Sequence, residues 1–417
     1  MATENLVSES TPTYESGSPE AAGAAQQDYV WTLNFGPQHP ATHTTLRLVL
    51  LLDGERVLDA VPDIGYLHSG FEKIGEHLDY NQYVTVTDRM NYISPLANNV
   101  AWHGSVERLL GIELTPRCKY IRTIVAELAR ISDHLLCNGA VGLDTGAFTY
   151  FLYAFYQREV LYDIFETLCG ARFTNSYTRT GGVMYDMTPL VVEKIRAFLR
   201  TFPKTLDDMD RLLNRNRIFV DRTRGVGVLT REDAINRSAS GPIARASGVT
   251  RDLRKDEPYL AYADFDFNIC CAQAGDCYAR YLVRMIEMRE SLKIVAQAIE
   301  NLPSGPVNVD VGERTALPTK KQVYKTIEGT ISHFELVMSN RGFEVPHEES
   351  YAAIESPNGE LGFYLVGDGT HAAYRARCRP PSYIHFAMFP SLIRGHTLSD
   401  VVAVLGSLNI IAAELDR

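Results

Sequence analysis

Apolar residues in the middle of the chain recur at the three- and four-residue spacing of a single helix face. The clearest run begins after Thr115-Pro116. Threonine is a good helix cap and proline suits the first helical position. The apolar positions that follow have the spacing of one buried face: Ile121, Ile124, Val125, Leu128, Ile131 and Leu135. The pattern predicts a long helix with this face in the core.

Further helices are predicted on both sides of this one. A helix over much of 94–110 would end at Gly111, because glycine is a common C-terminal stop. The segment after Asp144, as far as Leu168, carries apolar residues most of the way round. That pattern predicts a long helix with a central, buried position. Three more helices are predicted at about 189–216, 273–302 and 318–339.

Both ends of the chain show strand patterns instead. Residues 44–52 and 55–61 flank Asp53-Gly54, and Asp-Gly between two apolar runs is a strong hairpin signal.

Near the C-terminus, Asn358-Gly359 and Asp368-Gly369 punctuate runs at 361–366 and 374–378. A final helix is predicted from about Leu398. Together these elements predict an α+β fold, in which a central helical bundle carries small antiparallel sheets from the N- and C-terminal parts.

The predicted organisation is a tail followed by one domain over residues 29–417. Residues 1–28 are rich in Ser, Thr, Glu, Ala and Gly and nearly lack large aliphatic residues, so this tail is predicted to be disordered. Within the domain we expect an N-terminal β part over 29–70, a helical core over 71–340, and a C-terminal β part with a final helix over 341–417.

Composition narrows the class of protein. The chain has 417 residues, 45% hydrophobic and 22% charged, which argues against a disordered, collagen-like or polytopic membrane protein. The formal net charge of −10 argues against nucleic acid as the main partner. We expect no transmembrane helix, because the most apolar stretch, 401–415, is interrupted by polar residues and shorter than a bilayer span. No signal-peptide pattern is present, and seven cysteines favour reduced thiols in a cytosolic compartment.

One segment departs from this acidic balance. From Arg211 to Lys255 there are eleven Lys and Arg against four Asp and Glu, a net charge of +7. The segment is either a solvated surface or a docking surface for an acidic partner, since opposite charges steer association. The residues alone leave both interpretations open.

Candidate chemical groups are few. His39 and His43 lie four apart, but Pro37 and Pro40 exclude a regular helix through them. This stretch is predicted to be a rigid, irregular loop, and loops of this kind often carry function. Either histidine could equally be a structural or surface residue.

The cysteines form no Cys-x-x-Cys pair. Cys118, Cys137 and Cys169 are expected to be packed thiols. The group at 270–277 has no familiar metal spacing. The chain also lacks the glycine-rich nucleotide loops, the nucleophile elbow and the zinc-protease motif. From these residues alone the function stays open.

Several segments together resemble the D subunit of the NADH-quinone oxidoreductase of respiratory complex I, from about Trp31 to Arg417. The segments are 34–43 (Asn-Phe-Gly-Pro-Gln-His-Pro-Ala-Thr-His), 64–68 (Ile-Gly-Tyr-Leu-His), 88–92 (Asp-Arg-Met-Asn-Tyr), 179–183 (Arg-Thr-Gly-Gly-Val), 245–248 (Arg-Ala-Ser-Gly) and 406–409 (Gly-Ser-Leu-Asn). They are long, ordered and spread over nearly the whole chain, so the family is identified as that of the D subunit.

That family is similar to the large subunit of nickel–iron hydrogenases, which holds its metals with two Cys-x-x-Cys pairs. In the corresponding positions this chain has Asn91 and Ser94, and later Ile411 and Glu414. Nickel–iron sites of this kind need thiolate donors, so an active hydrogenase is excluded. The resemblance implies a hydrogenase large-subunit-like fold that binds neither metal nor flavin.

The family uses the vacated cavity to bind a quinone headgroup. The resemblance assigns the headgroup contacts to His43 and Tyr92 and places Asp144 behind His43. A phenol and an imidazole can donate both hydrogen bonds and protons, and a carboxylate partner raises the pKa of a histidine. Alternatively, Asp144 simply begins the helix that follows it. Thr44 stands where the family usually has glycine, a departure that bears on the mobility of the loop.

The resemblance also implies the electron path and the partners. Electrons would pass from the terminal iron–sulfur cluster of the B subunit to quinone, and the basic stretch 211–255 and Arg89 would hold that interface or tune the cluster. The expected partners are the B, C, I and H subunits of the complex, with no nucleic acid. The expected location is peripheral, on the cytoplasmic side of the inner membrane or the matrix side in a mitochondrion, attached through the membrane arm.

Two alternative functions stay open beside this one. The chain could be a non-catalytic scaffold subunit, or the equivalent subunit of a ferredoxin-dependent quinone oxidoreductase. The residues do not distinguish ubiquinone from menaquinone as the substrate, nor NADH from ferredoxin as the electron donor.

Overall fold

The computed structural model describes residues 30–42, 45–310, 317–338 and 341–417. The tail predicted over residues 1–28 lies outside the described residues. His43 and Thr44 lie outside them as well.

A three-stranded antiparallel sheet forms the N-terminal part. Its strands, in the order β1-β2-β3, are β1 (Val30–Phe35), β2 (Arg47–Asp53) and β3 (Arg56–Asp63). The predicted hairpin is confirmed, because Asp53 pairs with Arg56 across a turn in which Gly54 has a φ of +58°. Alternate residues of β2 are fully buried: Leu48, Leu50 and Leu52.

Helices make up most of the middle of the chain. The first are α1 (Phe71–Ile74), α2 (Val84–Met90), α3 (Pro95–Leu110), α4 (Pro116–Asp144) and α5 (Phe148–Cys169). A two-stranded ladder, β4 (Thr178–Arg179) with β5 (Gly182–Val183), precedes α6 (Pro189–Asn214). The rest are α7 (Arg217–Thr223), α8 (Arg231–Asn236), α9 (Gly241–Ala246), α10 (Leu253–Asp256), α11 (Cys277–Glu300), α12 (Lys320–Lys325) and α13 (Ile327–Val337).

The helix predicted after Thr115-Pro116 is the centre of the bundle. Thr115 accepts a hydrogen bond from the Cys118 N–H at 3.2 Å and caps α4, and Pro116 begins the helix. The predicted apolar face of α4 is buried, and α4 packs against both α5 and α11. The predicted helices at 94–110 and 189–216 are confirmed as α3 and α6.

The central burial predicted for the helix after Asp144 is wrong. That helix, α5, buries one face against α4 and leaves large side chains of the opposite face in solvent: Phe148, Leu152, Tyr153 and Tyr156. The central place belongs to α4, which is buried almost all round from Ile121 to Gly139 although it carries several charged residues. The number of apolar residues was a poor guide to burial here, because α4 buries charged residues that are paired inside the protein.

The helix predicted over 318–339 is divided in two. Thr326 interrupts it with extended backbone (φ −130°, ψ 145°) between α12 and α13. Its hydroxyl then accepts a hydrogen bond from the Gly329 N–H at 3.1 Å and caps α13. A threonine that caps a new helix competes with continuation of the previous one.

The C-terminal part begins with a second antiparallel sheet of order β6-β7-β8: β6 (Glu349–Ser356), β7 (Gly359–Val366) and β8 (Arg375–Arg379). The predicted turn at Asn358-Gly359 joins β6 to β7, and Gly359 has a φ of +139°. Three helices follow: α14 (Pro381–Ile393), α15 (Leu398–Leu408) and α16 (Ala412–Asp416). The single final helix predicted from Leu398 is therefore two, separated at Asn409, whose φ of +53° is left-handed.

The two three-stranded sheets pack on different helices. The buried leucines of β2 pack with Phe386, Phe389 and Val404 of α14 and α15. The second sheet packs on α3, where Leu361 and Phe363 contact the cluster around Trp102. Mixed helix with small antiparallel sheets is therefore the observed architecture. Across the described ranges, no helix has the length and apolar character needed to cross a bilayer.

Candidate functional site

Tyr92 lies two residues after Met90, the last residue of α2, at the end of the segment 88–92. Its side chain is half-buried, and its ring packs against Phe173 with 5.9 Å between the ring centroids and a tilt of 41°. Burial raises the pKa of Tyr92 above its ordinary value of 10.0. A phenol is protonated at neutral pH even at its ordinary pKa, and the shift strengthens this, so Tyr92 is able to donate a hydrogen bond.

The neighbours of Tyr92 in the chain are buried and polar. Asn91 accepts a hydrogen bond from the Ile93 N–H at 3.2 Å, while its Nδ2 has no partner among the described residues. Ser94 is fully buried, and its Oγ also lacks a partner within the described residues. Buried polar atoms without a partner are uncommon and mark a position where a water or a ligand group can bind.

The C-terminal segment meets this region although about 320 residues separate the two. Helix α16 packs against α2, and it carries Ile411 at its N-cap and Glu414 in its first turn. The Ile411 N–H donates to Ser382 Oγ at 3.3 Å, and the Ser382 hydroxyl donates to Glu414. Burial raises the pKa of Glu414 to about 8, so its carboxyl is neutral at pH 7.

The residues present do not fit a nickel–iron centre. An amide, a hydroxyl, an aliphatic side chain and a carboxyl stand at Asn91, Ser94, Ile411 and Glu414, and such a centre needs soft thiolates. Elsewhere in the described ranges, no three His, Cys, Asp or Glu side chains are grouped so as to hold a metal ion. The cysteines are free thiols, and Cys118 and Cys137 are buried as expected.

Asp144 is the last residue of α4 and is half-buried. The alternative that it begins the next helix is wrong, because α5 begins at Phe148 with Ala147 as its N-cap. Helical spacing puts Asp144 on the same face of α4 as Asp133 and Cys137. Burial raises the pKa of Cys137 to about 11, and the charges of Asp133 and Asp144 add to that effect.

The two histidines of segment 34–43 differ in what the structure describes. His39 is exposed, its ring lies 4.8 Å from that of Phe35, and its Nδ1 accepts a hydrogen bond from the Ala41 N–H at 3.1 Å. His39 therefore stabilises the irregular loop, in agreement with the structural role given above as the alternative to a functional one. His43 lies outside the described residues, so its pairing with Asp144 and its place beside Tyr92 stay predictions.

Sequence reasoning missed a buried ion network centred on α4. Glu127 of α4 accepts hydrogen bonds from Tyr262 and Ser291 at 2.6 Å each and from Arg254 at 3.3 Å. Arg254 binds Asp252 at 2.7 Å. The other members are Arg130, Arg245, Glu287, Glu355 and His134.

The network changes the interpretation of the basic stretch. Arg245 and Arg254 are fully buried and paired, so part of its charge is internal, whereas Arg211, Arg217 and Arg251 remain exposed. One sequence signal was available, since polar residues recur at helical spacing along α4, on a helix that is otherwise apolar.

A second missed feature lies between α4 and the C-terminal turn. Asp133 is fully buried and accepts a hydrogen bond from Asn409 Nδ2 at 2.6 Å. Asn409 also donates to Asn358. Burial raises the pKa of Asp133. The segment 406–409 thus fixes the turn between α15 and α16, and so the approach of α16 to α2.

Comparison with known proteins identifies the family. The family model described as "Respiratory-chain NADH dehydrogenase, 49 Kd subunit" matches residues 144–417. The chain is 46% identical over 400 residues to the NADH-quinone oxidoreductase D subunit of Methylacidiphilum infernorum, covering 96% of this chain and 95% of the relative. It is 47% identical over 392 residues to the second D subunit of Cytophaga hutchinsonii, covering 93% and 99%. The first D subunit of Opitutus terrae is 46% identical over 417 residues, covering 100% and 97%.

These matches confirm the resemblance drawn from the six segments. They span both the sheet at the N-terminus and the helices at the C-terminus. The chain therefore belongs to the family of the 49 kDa subunit of the respiratory-chain NADH dehydrogenase.

Proposed function

We propose that this chain is a peripheral-arm subunit of a proton-translocating NADH:quinone oxidoreductase and that it forms the quinone-reduction chamber with the iron–sulfur B subunit. The observation that carries the proposal is the packing of α16 against α2, which brings Glu414 and its neighbours to the segment of Tyr92. The region combines the half-buried Tyr92 phenol with buried polar atoms that have no partner among the described residues. Such a region is suited to a ligand that carries polar groups on an apolar ring.

Reduction of a quinone takes two electrons and two protons. Among the described residues no group of cysteines is placed to hold an iron–sulfur cluster, and the electrons would come from the terminal cluster of the B subunit. The Tyr92 hydroxyl would donate to one quinone carbonyl, since burial keeps it protonated until the quinone oxygen becomes basic. His43, oriented by Asp144, would donate a hydrogen bond to the other quinone carbonyl.

The proposal includes the origin of the chamber. In a hydrogenase large-subunit-like fold, the positions of the metal-binding cysteines would lie at Asn91, Ser94, Ile411 and Glu414. Their replacement by residues that hold no nickel would leave room there for an organic ligand. Residues 29–417 would form this domain, and residues 1–28 would be a tail outside it.

The proposal also covers the partner subunits and the location of the chain. It would contact the B, C, I and H subunits of the complex and lie on the cytoplasmic side of the inner membrane, or on the matrix side in a mitochondrion. Arg217 and Arg251 of the stretch 211–255 form solvent-exposed ion pairs within the chain, with Asp221 and Glu257. Such exposed pairs are weak, so these arginines would be able to exchange them for contacts with an acidic surface of the B subunit.

Replacement of Tyr92 by phenylalanine tests the function. Tyr92→Phe keeps the ring contact with Phe173 and removes one hydroxyl, which should cost about 1–3 kcal/mol of quinone binding or activation. NADH:quinone activity of the assembled complex should fall about fivefold to about 150-fold, while NADH oxidation by ferricyanide should stay unchanged. The matched control is Tyr324→Phe, since Tyr324 is 83% exposed.

Three outcomes separate the alternatives. Loss of quinone activity alone supports the chamber. Full quinone activity in an intact Tyr92→Phe complex would overturn it and favour a scaffold subunit. Equal loss of both activities would call for the assembled complex to be quantified, so that rates are compared per complex.

A further inference from the structure

The carboxylate of Asp88 joins three segments of the chain at one buried point. Asp88 lies in α2 and is fully buried. It accepts a hydrogen bond from Asn99 Nδ2 of α3 at 2.8 Å. It also accepts the Ser176 N–H, at 3.1 and 3.3 Å from its two oxygens, and the Ser176 hydroxyl. Both oxygens of this carboxylate are therefore engaged, and they tie α2 to α3 and to the segment of Ser176.

The aromatic pair at the candidate site, Tyr92 and Phe173, comes from two of the segments that Asp88 joins. Tyr92 comes four residues after Asp88 along the chain, and Phe173 comes three residues before Ser176. The two rings contact each other at 5.9 Å, and Phe173 meets Tyr162 of α5 on its other side at 6.3 Å and 90°. The position of one ring relative to the other thus depends on the bond between their segments.

Ser176 is held in a conformation that it would not adopt freely. Its φ of +39° lies in the left-handed region, which costs energy for any residue with a Cβ. The hydrogen bonds from its N–H and hydroxyl to Asp88 offset that cost. Arg179 binds the Ser176 carbonyl from the other side. Strained backbone held by a buried charge is typical of a position where geometry matters more than local stability.

The side of α2 that faces α3 is held by further buried contacts. Thr87 donates to Asn99 Oδ1 at 2.9 Å, and Asn98 donates to the carbonyls of Thr87 at 3.0 Å and of Asn91 at 3.2 Å. These bonds fix α2 to α3, but they do not reach the segment of Phe173. Within the described residues, the side-chain hydrogen bonds that join α2 to the segment of Phe173 are those between Asp88 and Ser176.

We propose that Asp88 is a positioning residue that sets the place of the Tyr92 phenol against Phe173, and so its aim at the quinone carbonyl. This inference rests on the proposed function. Asp88 does not touch the ligand; it holds the wall against which the Tyr92 ring packs. Arg172 still ties the segment of Phe173 to α5 through three carboxylates, so loss of the Asp88 bond frees α2 and Tyr92 to shift against that segment. The phenol would then lose its fixed angle to the Phe173 ring.

Three variants of the assembled complex test the inference. Asp88→Asn removes the acceptor of Asn99 or Ser176, and Ser176→Ala removes the hydroxyl. Ser176→Gly removes the hydroxyl and also relieves the strained φ, because glycine adopts positive φ at no steric cost. In each, the KM for a short-chain quinone should rise about threefold to tenfold, as expected for a lost hydrogen bond, while ferricyanide reduction per complex stays unchanged.

Ser176→Gly separates positioning from plain stability. A purely structural role predicts normal quinone kinetics in this variant, because the strain is gone and the complex assembles; that result would overturn the inference. The matched control is Asp59→Asn, which breaks an exposed ion pair with Arg394 and should leave the KM unchanged.

A double-mutant comparison shows whether Asp88 acts through Tyr92. In a Tyr92→Phe background, Asp88→Asn should change quinone activity less than about twofold, since the hydroxyl to be positioned is already absent. Equal fold losses in both backgrounds would overturn this inference and leave the proposed function intact. Full activity of Tyr92→Phe alone would instead overturn the proposed function.

Discussion

The imidazole Nε2 of His134 lies 2.8 Å from Oε2 of Glu287, in a contact that joins α4 to α11 and is sealed from solvent. The other oxygen of Glu287 accepts from Arg245 Nε at 2.9 Å. Burial lowers the pKa of His134 below its ordinary value of 6.5, and Arg245 holds the pKa of Glu287 well below its usual range. The histidine is therefore neutral and donates its Nε2–H to an ionised carboxylate.

Glu287→Gln should destabilise the chain by about 3–5 kcal/mol, because Arg245 is left with less compensating charge in a fully buried site. The free energy of unfolding of the purified chain, measured in urea, checks this. Tryptophan fluorescence is a suitable signal because Trp102 is buried.

The control is an exposed ion pair that also joins α11 to a neighbouring helix. Asp207 of α6 binds Arg289 at 2.8 Å, with both side chains about a third or more exposed. Asp207→Asn should cost less than about 1 kcal/mol. Equal losses of unfolding free energy in Glu287→Gln and Asp207→Asn would contradict the view that burial makes the inner ion pair more important for stability than the exposed one.

Asp144→Asn should lower quinone reduction while the complex still assembles, since it removes a charge but keeps the size and a hydrogen-bonding group. If Asp144 partners His43, loss of the carboxylate lowers the histidine pKa, so the rate should fall earlier as the pH rises. Quinone reduction measured from about pH 6 to about pH 8 checks this. Identical pH profiles in the wild type and the variant would rule out the pair.

Glu414→Gln should make the protection of α16 less dependent on pH. Burial raises the pKa of Glu414 from 4.5 to about 8, opposed by the bond from Ser382 and supported by the charge of Asp133. Between these values the folded state holds a proton that the unfolded state releases, so rising pH favours opening.

Hydrogen exchange of residues 409–417 in the assembled complex measures that opening. From about pH 5 to about pH 8, protection should fall more in the wild type than in Glu414→Gln, after correction for intrinsic exchange. Glu300→Gln, at an exposed position, should follow the wild type. The same pH dependence in all three proteins would show that Glu414 is not the titrating group.

Metal analysis of the purified subunit should find neither nickel nor iron in stoichiometric amount. The expectation follows from the donor set at Asn91, Ser94, Ile411 and Glu414, which holds no thiolate pair. About one nickel per chain would refute both this expectation and the proposed chamber.

Local patterns in the sequence were enough for many elements of the fold. Thr115-Pro116 and Gly111 mark helix ends through capping and backbone geometry, and Asp53-Gly54 marks a hairpin, because each acts within a few residues. The family followed from ordered segments along the chain. Thr326 shows the limit of this approach, since its side chain could either continue one helix or cap a second.

The sequence by itself determined the family, the main helices, the two predicted strands at each end of the chain and the lack of thiolates at four positions, because these depend on residue type and on neighbours along the chain. Only the tertiary structure decided that α4 is central rather than α5, that Arg245 and Arg254 are internal, and that Asp88 ties the segment of Tyr92 to that of Phe173. The physical reason is that burial and charge pairing depend on partners tens to hundreds of residues away. A charged residue on a helix looks the same in the sequence whether it faces water or a buried ion of opposite sign.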